Sequence, residues 1–108
     1  MLRMKKMANY SQSISITEAM YLAKEMITMA IFNRIRLQDG ISKTSDKNSR
    51  ELLQNSYDSQ LKEVLSIPRY NNAIENLVKN RNDPPIKRML LDLHYWYPWL
   101  SFNNTHRS

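Results

Sequence analysis

Arg88 and His94 stand with five residues between them, and Lys87 and Tyr95 flank the same stretch. Arginine is a fixed cation and histidine titrates near neutrality, so side chains of these types can hold an anionic group and carry a proton. Residues six apart on a helix are turned about 120° from each other, so this pair converges only if a second chain completes the site. Other chemistries lack their residues. The histidines His94 and His106 are separated by Pro98, with no carboxylate at ligand spacing from either, and the chain has no cysteine. Neither a thiolate nor a histidine metal site is expected, and no cofactor is implied. A single glycine rules out a glycine-rich phosphate loop, and nothing resembles a nucleophile elbow. The expectation is a small intracellular regulator or adaptor, inhibitor or chaperone-like, that acts by binding protein and has no catalytic residues.

The Arg88–His94 spacing resembles the R-x(4–6)-H pattern of HEPN-type helical ribonucleases. The resemblance covers this short stretch alone. It implies a helical dimer in which Arg88 stabilises phosphate charge and His94 transfers a proton at the cleft between chains. The chain departs from the pattern at Met89, where that family carries a polar residue beside its arginine. A ribonuclease using Arg88 and His94 is therefore an alternative reading.

Two binding readings compete with it. Lys79, Arg81, Lys87 and Arg88 gather around the junction of the third and fourth helical segments, beside Tyr95, Trp96 and Trp99. Cations on one surface suffice for phosphate contacts, and aromatic rings stack bases. Against this, Ile86, Met89, Leu90, Leu91 and Leu93 give the would-be recognition helix a core-forming character. The net charge of +6 is also concentrated, because Arg3, Lys5 and Lys6 supply half of it. Nucleic-acid binding is thus the alternative, and protein binding the main expectation. Met20, Met26 and Met29 lie on the longest helical segment, where flexible thioethers suit an adaptable interface. Lys87, Leu91 and Tyr95 complete the expected partner-binding set on the outer face of the fourth helix. A protein partner or a homodimer is expected, and no small-molecule ligand is inferred.

The elements that position these residues read as all α. The 108 residues suit one domain, and the lone glycine argues against hairpins and bulges. The stretch Ile16–Leu37 is central. Met20, Leu22, Ala23, Met26, Ile27, Met29, Ala30 and Ile31 span roughly 200° of its helical wheel, against about 100° for an ordinary surface helix. Such an arc predicts wrapping by several helices or a shared interface. Ser13 or Ser15 caps its start, Ser15 and Glu18 have capping-box spacing, and Gly40 is expected as a left-handed residue just past its end near position 38. Arg34 and Arg36 suit the negative pole there.

A second helix follows a Ser45 or Asp46 cap and reaches about Ser66, with one narrow stripe of Leu53, Tyr57, Leu61, Val64 and Leu65. Leu52 falls off that stripe. Pro68 opens a third helix to about Arg81, buried through Tyr70, Ala73, Ile74, Leu77 and Val78. Asp83 and Pro84 start a fourth, which Pro98 ends; its inward residues are Ile86, Met89, Leu90, Leu93, Trp96 and Tyr97. The expectation is a single-domain four-helix bundle over 13–108, preceded by a mobile basic arm over 1–12. Trp99, Leu100 and Phe102 of the C-terminal tail should fold back on the bundle. Met1, Met4 and Met7 are each starting candidates. Polar Asn9 to Gln12 interrupt any export signal, and no stretch is long and apolar enough to span a membrane. With no cysteine, a cytoplasmic location is expected.

Overall fold

A computed structural model describes residues 14–100. The described residues hold four helices: α1 Ile16–Ser42, α2 Lys47–Val64, α3 Pro68–Lys79 and α4 Pro84–Trp96. The described residues form an all-α bundle with no strand. The expected arm over 1–12, and Phe102 and His106 of the tail, lie outside the described residues.

Local chemistry sets most of the helix starts. The Ser15 hydroxyl accepts the Glu18 N–H at 3.0 Å, and an Asp46 carboxylate oxygen accepts the Ser49 N–H at 3.0 Å. Each bond satisfies one amide that the first helical turn leaves without a partner. Pro68 and Pro84 begin α3 and α4, following Ile67 and Asp83 in extended conformation. A proline loses nothing there, because the first-turn N–H has no intrahelical acceptor. Asp83 holds the N-cap position, yet its side chain makes no capping bond.

The end of α1 differs from expectation. The helix runs through Gly40 to Ser42, and Gly40 has no positive φ. A Cβ built at Gly40 would lie 2.7 Å from Leu53 Cδ2, so the missing side chain makes room for α2. Close helix approach, rather than a left-handed cap, explains the glycine. Termination falls to polar side chains just beyond. The hydroxyl of Ser42 donates to the Asp39 carbonyl at 2.7 Å, and that of Thr44 to the Gly40 carbonyl at 2.8 Å. Arg50 Nε donates to the Thr44 carbonyl at 2.7 Å, tying the turn to α2. Arg34 and Arg36 accordingly sit inside the helix, and its last turn carries no basic residue.

The 27-residue α1 is about 40 Å long and packs against each of the other helices, while α3 also packs on α4. Its fully buried ridge is Ala19, Ala23, Met26 and Ala30. Three alanines let α3 and α4 approach closely, bringing Ala73, Leu77, Ile86 and Leu93 into the same core. No residue of α2 is fully buried, and Leu53, Tyr57, Leu61 and Val64 are half-buried. This is an outer helix, as its narrow stripe predicts, and Leu52 is exposed.

Tyr97 closes the core. It is fully buried, and its hydroxyl donates to the Met26 carbonyl within α1. Burial pushes the Tyr97 phenol well above its usual range, since an ionised ring would lose hydration there. Leu100 packs back on the core, and Lys62 of α2 lies 5.1 Å from the Trp99 ring centroid. Both described apolar residues of the tail thus return to the bundle.

Candidate interaction surfaces

The expected partner-binding methionines divide by depth. Met26 is fully buried inside a single chain, so its side chain serves the core. Met20 and Met29 are half-buried at the edges of the core. The central part of the wide apolar arc is covered by α3, α4 and Tyr97, leaving Ile31 as its one exposed member. The arc alone therefore does not require a second chain.

The open apolar surface of α1 lies on the opposite side, among Lys24, Glu25 and Thr28. Tyr21, Phe32 and Ile35 are 63 %, 55 % and 57 % exposed. Tyr21, Thr28 and Ile35 recur every seven residues, and Phe32 follows Thr28 by four. That spacing puts them along one helix face. Beside them a shallow groove of about 580 Å³ runs between α1 and α3, walled by Tyr21, Thr28, Met29, Phe32 and Tyr70. Polar bonds hold the α3 side of this groove. The Tyr70 hydroxyl donates to Glu25 at 2.9 Å and accepts from Arg69 Nη2 at 3.1 Å, while the Arg69 guanidinium lies 4.8 Å from the ring centroid. Sequence reading did not single out Tyr21, Phe32 or Ile35 as a surface, because apolar residues among Lys24, Glu25 and Thr28 do not stand out against a broader apolar arc.

A second exposed face is the outer side of α4. Lys87, Leu91 and Tyr95 succeed one another by four residues, and Leu91 and Tyr95 are 61 % and 70 % exposed. Their four-residue spacing places them on one face, as expected. Arg88 and His94 are also exposed but fall on opposite flanks of the row. One chain does not bring them together. Of the cations at the helix junction, Lys79, Lys87 and Arg88 are exposed, whereas Arg81 Nη1 donates to the Val78 carbonyl at 3.0 Å. Among the described residues, no three His, Asp or Glu side chains gather as metal ligands.

A third feature is a cleft of about 340 Å³ where α1, α2 and the end of α4 meet. Asn33, Arg34 and Asp58 line it together with Tyr95, Trp96 and Trp99. Asn33 is the buried polar residue of α1, 5 % exposed, and its Nδ2 donates to the Tyr57 carbonyl of α2 at 3.1 Å. The carbonyl needs a donor, which orients the amide. Comparisons of the chain with known protein families, characterised proteins and solved structures gave no match.

Proposed function

We propose that this chain is a small intracellular, cytoplasmic regulator or adaptor that acts by binding another protein, with the outer face of α1 as its docking surface. The observation that carries the reading is the row of exposed Tyr21, Phe32 and Ile35 beside an apolar groove. Grouped exposed apolar residues rimmed by charge favour a partner, whereas scattered ones do not. Lys24, Glu25 and Arg36 supply that rim. Covering a side chain such as Phe or Ile is worth roughly 1.5–3 kcal/mol before the ordering costs of association. Leu91 and Tyr95 form a smaller patch with Lys87 on α4, and a large partner could engage both.

Copurification from native extract, with and without nuclease, tests this reading on wild type and on a Phe32→Asp/Ile35→Asp variant. Both positions are exposed, so the variant should melt within a few degrees of wild type. The expected result is a protein partner, or a second copy detected by light scattering, that survives nuclease and is lost with the variant. Loss on nuclease treatment would instead assign the partner to nucleic acid. Retention by the variant would remove α1 as the docking face.

A further inference from the structure

We propose that the cleft between α1, α2 and the end of α4 binds a neutral, planar heteroaromatic ligand of the nucleobase class through an N–H donor edge. The inference is independent of protein docking through α1.

Shape, hydrogen bonding and charge each narrow the ligand. The volume of about 340 Å³ lies at the small end of ligand pockets, which span roughly 300–1,000 Å³. Tyr95, Trp96 and Trp99 present aromatic walls, and Tyr95 meets Trp96 edge-on at 5.1 Å between ring centroids. Such walls favour a flat, π-faced guest. Asn33 supplies the specific contact. Its Nδ2 is committed to Tyr57, while its Oδ1 has no hydrogen-bond partner among the described residues. No buried side-chain polar atom is left unsatisfied in the described structure, so that oxygen is open to the cleft that Asn33 lines. An acceptor open to the cleft can exchange solvent for a ligand N–H.

The charges around the cleft are of both signs. Arg34 and Asp58 both line the cleft and carry opposite charge. Lys62 already stands against the Trp99 ring, so a second cation at that indole would meet repulsion. A neutral guest with donor and acceptor edges suits both side chains. Nucleobases combine that edge chemistry with a stacking face.

The two tryptophans of the chain are both in this cleft, so their indole N–H resonances and fluorescence report on it directly. The test titrates the full chain with 9-methyladenine and with N6,N6,9-trimethyladenine, which keeps the ring and lacks every N–H donor. Saturable shifts of both indole signals by 9-methyladenine are expected, with binding about tenfold weaker for the trimethyl compound. Trp99→Leu, at a partly exposed position, should weaken 9-methyladenine at least about fivefold without loss of fold. Absence of saturable shifts would overturn the site. Equal binding of the two purines would overturn the donor contact to Asn33. Adenosine monophosphate and a single-stranded adenine hexamer, titrated alongside, separate a free nucleotide from a base offered by a strand; either ranking supports the cleft.

Discussion

Tyr97 shows how one side chain couples the end of the chain to its longest helix. Its ring fills the core and its hydroxyl reaches the Met26 carbonyl. Tyr97→Phe keeps the ring and removes the bond, leaving a helical carbonyl that still has its own ladder partner. A loss of about 1 kcal/mol in urea unfolding is expected. The alkaline limb carries a second signature. The folded phenol titrates above its unfolded value near 10. Its stabilising contribution is therefore complete below about pH 10 and declines as pH rises toward the folded pKa, because the unfolded chain releases this proton first. Wild type should lose stability above pH 10 more steeply than Tyr97→Phe. Parallel profiles would show that the hydroxyl is not buried.

At the scale of elements, Gly40 is the informative residue. In a left-handed cap, a Cβ would strain the backbone and Gly40→Ala would destabilise by about 1 kcal/mol or more. Inside α1, the same change gains up to about 1 kcal/mol of helix propensity, opposed by the approach of Leu53 Cδ2. That atom ends a flexible side chain, so it can turn aside. Gly40→Ala should therefore shift stability by less than about 0.5 kcal/mol in wild type, and raise it by about 1 kcal/mol in a Leu53→Ala background. A clear loss in both backgrounds would restore the cap.

For the whole molecule, the issue is which face of α1 the chain keeps for itself. Met26 lies within the core shared by α1, α3, α4 and Tyr97. Met26→Lys should unfold the chain or destabilise it by more than about 3 kcal/mol, because the ammonium has no route to water. Met29→Lys, at a half-buried groove position, should cost only about 1 kcal/mol, since a lysine stem can lie along apolar surface with its head in water. Circular dichroism melts of the two variants separate the core position from the edge. A folded Met26→Lys chain with native helicity would move Met26 to the surface.

Signals confined to a few neighbouring residues were legible in the sequence. Ser15, Asp46, Pro68 and Pro84 mark the helix starts, since capping bonds and proline geometry act within one turn. The narrow stripe on α2 revealed an outer helix, and apolar residues recurring every three or four positions revealed the inward sides of α3 and α4. Periodicity also told that α1 is the central helix, but not which part of its broad apolar arc would be covered. That depended on where small Ala19, Ala23 and Ala30 let α3 and α4 dock, which left Tyr21, Phe32 and Ile35 outside. The passage of α1 through Gly40 depended on Leu53, a contact between helices that no local rule contains. Asn33 is one more polar residue in a linear reading. Only the approach of Tyr57 and the return of Trp99 turn it into the floor of a cleft, because burial belongs to the neighbours a side chain acquires and not to its type.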